Sequence, residues 1–277
     1  MCHVKPSQYI HLVFMLLLHR QVRLISPARA RIKGELTMAT AANKVQTIYE
    51  DVLANYLISM ARTVENSVGY ALDALLRPNQ ERAAALSSQV FLVEPRVNEM
   101  EMLIDDHAVR MLRTGLLDDE EIRRVVASQK IANDLERIGD LAVNISERVI
   151  SLAGMEVTEM PQELEPMSGA VRGMLGRSLG ALIFRNVVLA GEVLESDDVV
   201  DRYRDQIFEH LLAGMIREPS HVAPHLQFVL ATRYLERIAD HATNIAEDII
   251  FWVRGLDVRH GRARLNADEL NYPEKRP

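Results

Sequence analysis

The stretch Leu135-Glu136-Arg137-Ile138-Gly139-Asp140-Leu141-Ala142-Val143-Asn144-Ile145-Ser146-Glu147 recurs 100 residues later as Leu235-Glu236-Arg237-Ile238-Ala239-Asp240-His241-Ala242-Thr243-Asn244-Ile245-Ala246-Glu247. Ten of the sixteen positions from 135 to 150 match at that offset. In each copy the apolar residues step by 3 and 4 alternately: Leu135, Ile138, Ala142, Ile145, Val149, Leu152, and Leu235, Ile238, Ala242, Ile245, Ile249, Trp252. That is the seam of a helix buried along one face. No segment shows the alternating Val/Ile/Thr/Tyr pattern of a strand. The duplication therefore predicts an all-α chain of two tandem three-helix bundles with six long helices.

Breakers mark the expected helices. The first covers about 45–76 and stops before Pro78. The second covers about 79–113 and ends at Gly115; Asp118 with Glu121 forms a capping box that opens the third, which runs to about Ala153 before Gly154. The fourth, fifth and sixth cover about 167–194, 198–217 and 222–254, with Pro219 in the last turn and Gly255 as the final stop. The domains expected are a tail at 1–37, a first bundle at 38–154, a linker at 155–166 holding Pro161 and Pro166, a second bundle at 167–256, and a polar tail at 257–277. Gly169, Gly173, Gly176 and Gly180 give the fourth helix a small-residue face for close packing, and Arg172 and Arg177 exclude it as a membrane span.

The chain of 277 residues carries a net charge of -7, unevenly spread. Residues 1–37 hold six Lys/Arg and one Glu; the remainder holds 26 Lys/Arg and 38 Asp/Glu. The acidic body argues against nucleic-acid binding and suits cations. Cys2 is the only cysteine, so no disulfide framework forms within the chain. The apolar run Ile10 to Leu18 is too short to span a bilayer. The basic tail is expected to be an upstream extension foreign to the native protein or disordered, with initiation near Met38.

What lifts the repeat above a doubled bundle is that it copies polar residues. Glu101-x-x-x-Asp105 and Asp201-x-x-x-Asp205 are a second acidic pair at the same offset, 35 residues before Glu136/Asp140 and Glu236/Asp240. At about 100° per residue, the seam centres near 315° and Glu136, Asp140, Asn144 and Glu147 near 135°, on the outside of the bundle. The midpoint between the acidic pairs of the second half is near residue 220, on the Pro219 turn, so antiparallel helices bring them level. The first half matches if its turn centres near Asp119. Carboxylates gathered so closely need cations, protons or arginines between them, and Arg137 and Arg237 are at hand. As hard oxygen donors they suit magnesium, calcium, manganese or iron. His107, His210 and His241 lie near these motifs and are expected to be packing or surface groups.

The paired Leu-Glu-Arg-Ile-Gly/Ala-Asp motifs, with the two halves between about 44 and 260, resemble the PhoU family of phosphate-uptake regulators. The resemblance implies multinuclear metal clusters on the bundle surface. Iron, zinc, manganese or magnesium would be held by Glu101, Asp105, Glu136 and Asp140, and by Asp201, Asp205, Glu236 and Asp240, with Asn144, Glu147, Asn244 and Glu247 as weaker ligands. Ala239 stands where the family often has Gly. The resemblance further implies a cytoplasmic, homodimeric, non-enzymatic adaptor between the ATPase subunit of a phosphate ABC transporter and a sensor histidine kinase, acting as a negative regulator. No Gly-rich phosphate loop is present. Two other readings are a ferritin-like di-iron oxidase and a plain helical scaffold. The oxidase wants inward Glu-x-x-His pairs, and Glu218-x-x-His221 has that spacing only across Pro219.

Overall fold

In the computed structural model, residues 30–76, 80–155 and 159–259 are described, side chains from residue 52 onward. Six long helices follow in the expected order, with one short addition: α1 Ala30–Leu75, α2 Gln80–Arg113, α3 Asp119–Ala153, α4 Leu164–Phe184, α5 Val187–Leu194, α6 Asp197–Arg217 and α7 Val222–Arg254. A single 3-10 turn, Pro219–His221, joins the last two, and no strand occurs among the described residues. The chain divides at Ile48/Tyr49; the first unit contributes only the opening turns of α1 to the described residues, and the second holds the other helices.

The boundaries depart from expectation in three places. α1 is helical from Ala30, so residues 30–37, read as part of the tail, are helical; the apolar run Ile10 to Leu18 lies outside the described residues. α4 starts at Leu164, with Pro166 in its first turn, where a missing N–H loses no helical bond. The stretch read as one helix over 167–194 is broken. Arg185 takes a left-handed φ of 51°, and its guanidinium lies 5.0 Å from the centre of the Trp252 ring. Asn186 then caps α5, its side-chain oxygen accepting from the Val188 and Leu189 amides at 2.9 and 3.2 Å. One further irregularity is tolerated: Pro95 lies inside α2, where it supplies no N–H to the preceding turn.

The capping box at α3 forms as expected. The Glu121 amide donates to Asp118 Oδ1 at 2.9 Å and the Asp118 amide donates to Glu121 Oε2 at 2.7 Å. Asp118→Ala is expected to lower stability by about 1 kcal/mol, read as a shift in the urea midpoint at constant slope. Gly115 and Gly255 hold φ of 64° and 67°, which explains glycine at both stops.

The two repeats meet through their third helices. Numbering rises along α3 as it falls along α7: Arg123 meets Trp252, Lys130 meets Asp248, Asp134 meets Asn244 and Arg148 meets Gln227. The helices are thus antiparallel. Their crossing centres on Ile138/Gly139 and Ile238/Ala239, all buried and related by the repeat offset of 100. A pseudo-two-fold axis therefore passes through the crossing. One hydrophobic core runs through both repeats, from Leu53 and Met60 of α1 to Ile249 of α7. α7 packs against α3, α4, α5 and α6, and it is consequently buried well beyond a single seam.

Candidate functional site

The second-half acids lie where α6 runs beside α7. Asp201 and Asp205 sit one turn apart on α6, and Glu236 faces them from α7. Arg204 stands between: its guanidinium reaches Asp201 at 2.8 Å, Asp205 at 2.9 Å and Glu236 at 2.6 Å. Arg233 adds a second contact to Glu236 at 2.9 Å. The Arg204–Glu236 pairing centres the hairpin on residue 220, which is the level the acidic pairs require. Three carboxylates around one guanidinium hold Arg204 firmly in its charged form, the Glu236 hydrogen bond above all.

Asp197, one further turn up α6, belongs to the same cluster. Burial first, then Asp201, Asp198 and Glu236, push its carboxyl above the ordinary range. Asp240 is raised in the same way, by burial and then by Glu236, Asp197 and Asp201. Asp197 was not among the residues read from the sequence, although the signal was present: it extends the Asp201/Asp205 ladder by another four-residue step.

The first-half cluster is looser. Burial followed by Asp105 raises Glu101, and burial followed by Asp140 raises Glu136, with Glu101 and Glu94 contributing. Arg137 lies 3.3 Å from Glu136 and 3.6 Å from Asp140. Glu136 Oε2 is buried and makes no hydrogen bond despite that ion pair. The connection between α2 and α3 is centred near Leu116, earlier than the Asp119 that a level match needed. Asp105 consequently lies beside Gln129, whose amide donates to it at 3.0 Å, while Glu94 slides toward Glu136.

Three sequence expectations need correction. The acidic stripe is not simply on the outside: Glu236 is only 9% exposed, because α6 closes over that side of α7. Asn244 and Glu247 do not join Glu236 and Asp240. They line a separate polar cleft of about 550 Å³ between α3 and α7 with Lys130, Asp134, Asp248 and Arg259, and Asn244 donates to Asp134 at 3.3 Å. Glu147, likewise, pairs with Arg148 at 3.1 Å. Asn144, the remaining weaker candidate, is half-buried on α3. Among the described residues, no three acidic, histidine or cysteine side chains stand arranged around one point as metal ligands; in the second repeat Arg204 fills the centre.

The histidines play packing roles. His241 Nδ1 lies 2.7 Å from Asp134 across the α3–α7 junction. His107 stacks near Tyr56 at 5.4 Å, its pKa lowered chiefly by burial. His210 is 3.9 Å from Glu163. Glu218 and His221 fall on the 3-10 turn, not on one helix face, with the His221 ring against His225. The Gly139/Ala239 exchange is accommodated: a Cβ on Gly139 would lie 3.5 Å from Val97, an ordinary contact.

The raised carboxyls give the fold a pH signature. A group whose folded pKa exceeds its unfolded value contributes stability that is fully present below the unfolded value and lost as pH rises through the folded one. For Glu101 and Glu136 the ordinary value is 4.5, and for Asp197 and Asp240 it is 3.8. Metal-free protein is therefore expected to lose Tm, relative to a variant with Glu101, Glu136, Asp197 and Asp240 changed to Gln or Asn, as pH rises from about 4, near the ordinary values, to about 8. Thermal scans of both proteins in chelator across that range check it; parallel profiles would contradict it.

Comparison with known proteins supplies a family. A model described as the PhoU domain matches residues 57–149 and again 164–249. The chain is 35% identical to a phosphate-specific transport system accessory protein PhoU homologue of Pseudomonas putida, over 77% of this chain and 83% of that protein. To the corresponding Pseudomonas aeruginosa protein it is 34% identical, over 80% of this chain and 90% of the other. Among solved structures it is similar to the crystal structure of PhoU from Pseudomonas aeruginosa, with a TM-score of 0.71 at 31% identity over 76% of this chain and 99% of that one. The phosphate transport system regulatory protein PhoU from Streptococcus pneumoniae shares the fold, with a TM-score of 0.69 at 22% identity over 77% of this chain and 99% of that one.

Proposed function

The chain belongs to the PhoU family, and from that premise we propose that it restrains phosphate uptake and the phosphate-starvation response as a cytoplasmic, non-enzymatic adaptor. Its role is an accessory one in phosphate transport. In the proposed scheme it links the ATPase subunit of a phosphate ABC transporter to a sensor histidine kinase and favours the kinase's phosphatase state when phosphate is ample. The observation that carries the reading is that both repeats match the family domain. No described helix is long and apolar enough to cross a membrane. Deleting the gene in its host and measuring phosphate uptake with a starvation-responsive reporter tests the scheme. Both are expected to rise in phosphate-rich medium and to fall again on complementation. Unchanged uptake and reporter would refute it.

The acidic clusters are the proposed metal sites. Glu101, Asp105, Glu136 and Asp140 would hold ions in the first repeat, and Asp201, Asp205, Glu236 and Asp240, joined by Asp197, in the second. Their all-oxygen donor chemistry fits hard cations, and burial first, then neighbouring carboxylates, push Glu101, Glu136, Asp197 and Asp240 upward, a pressure that a bound cation would relieve. A bound ion would supply that charge and tie the neighbouring helices together. The chain's own residues do the rest: Arg204 and Arg137 neutralise the carboxylates, and a cation must displace them from the cluster. Self-association as a homodimer completes the proposed picture.

A further inference from the structure

Each repeat ends a hairpin in exposed apolar residues, and the duplication copies them. Leu112, Leu116 and Ile122, where α2 turns into α3, are 42%, 57% and 40% exposed; Leu212, Ile216 and Val222, where α6 turns into α7, are 45%, 74% and 44% exposed. Exposed apolar side chains elsewhere are not copied: Met102 and Val109 answer to Arg202 and Glu209, and Phe208 to the buried Ala108. The neighbours of the retained residues diverge as well. Arg113, Thr114, Leu117, Glu120 and Glu121 stand where the second hairpin has Ala213, Gly214, Arg217, Ser220 and His221. A buried position keeps its apolar character because it packs; an exposed one has no such reason, and apolar side chains scattered singly over a surface carry no meaning. Retention of the same three at both hairpin ends points to a contact at each.

We propose that the two hairpin ends together grip one two-fold symmetric protein partner, each end receiving the same apolar segment from one of its two subunits. The pseudo-two-fold axis at the α3–α7 crossing relates the ends. Asp119 is 19 residues from Ile138, and Pro219 as far from Ile238; at 1.5 Å per residue the ends stand about 57 Å apart, on opposite sides of that axis. A partner whose own axis coincides with it meets both ends with identical surfaces. The charges at the ends are unlike, Asp119 and Glu120 at one and Arg217 and His221 at the other, so the feature that identical subunits can share is the apolar one. Neither patch is large, but docking at one end presents the second subunit to the other end at an effective concentration on the order of millimolar, and two weak contacts then act as one firm site. The proposal rests on the adaptor reading given above and adds the surface and the symmetry of what it contacts.

The test places the full chain in its host as the only copy, with the photoreactive side chain p-benzoylphenylalanine at Leu116 or at Ile216 as the probe. Irradiation in phosphate-rich medium is expected to join both positions to the same polypeptide. Ile216→Lys should cut the yield from position 116 at least about tenfold, and Leu116→Lys the yield from position 216, because one partner held at two ends is lost when either fails. Both side chains are more than half exposed, and lysine suits the C-terminal end of a helix, so the variants should keep the native Tm. Different polypeptides at the two ends, yields that ignore a lysine at the opposite end, or no linkage at either end overturn the proposal. A starvation reporter that rises on deletion of the gene but not in the Leu116→Lys, Ile216→Lys chain overturns it too, and leaves the regulatory role standing. A reporter unmoved by the deletion itself overturns both.

Discussion

Full-length protein with Glu136, Asp140, Glu236 and Asp240 all changed to Ala is expected to retain its helices and to lose its bound metal. Plasma mass spectrometry of the untagged chain should find more than one equivalent in the native protein and essentially none in the variant. The substitutions replace oxygen donors with the best helix former, so the helical circular dichroism should not fall. They remove α3's and α7's share of each cluster and leave the α2 and α6 acids facing bare helix. In the second repeat the loss of Glu236 also frees Arg204 to satisfy Asp201 and Asp205 alone. The converse variant separates ligand loss from general damage. Arg204→Ala withdraws the cation that now occupies the acids, and should tighten metal binding in the second repeat. Equal metal content in native, four-Ala and Arg204→Ala proteins would remove the metal assignment altogether.

Truncating the helix crossing is expected to have the largest effect on stability. Ile138 and Ile238 are fully buried at the junction of α3 and α7. Ile138→Ala or Ile238→Ala should each cost about 2–5 kcal/mol, the transfer of the lost methyl groups plus the cavity they leave. Against a total stability of about 5–15 kcal/mol, either is a severe loss. Because one core runs through both repeats, the urea transition should shift as a single step. A split transition in which only the substituted repeat moves would show that the repeats unfold independently.

Much of this was legible in the residues. The seam positions Leu135 to Ile145 and Leu235 to Ile249 are buried as their spacing required. The Pro219 turn brought Asp201, Asp205 and Glu236 to one level because a hairpin's register follows from where its turn lies. The same reasoning missed in the first repeat, where the connection after Arg113 is centred earlier and shifts Asp105 toward Gln129. The break at Arg185 carried no glycine or proline to announce it; only the Asn186 cap hinted at a new helix. Helical-wheel geometry treats each helix as touching one neighbour. It therefore could not foresee that α7, enclosed by four, would bury Glu236 and Asp248. Nor does a wheel show that Asn244 turns toward Asp134 across the crossing, since that depends on the partner helix.

The crossing of α3 and α7 bears on how a duplicated chain avoids mispairing while it folds. Two helices that share ten of the sixteen positions beginning at 135 and 235 invite the wrong match, α3 with another chain's α3, or α7 with another α7. Polar contacts flank the crossing: Lys130 with Asp248 and Asp134 with His241 and Asn244 on one side of its axis, and Arg148 with Gln227 on the other. In an α3–α3 match of the same geometry, Lys130 would face Arg148, the repeat equivalent of Asp248. In an α7–α7 match, Asp248 would face Leu230 with no counter-charge. Only the mixed pair satisfies both ends. The divergence of a few polar positions thus favours the unlike pair over either like pair, so that copies of the same half do not stack on one another in its place.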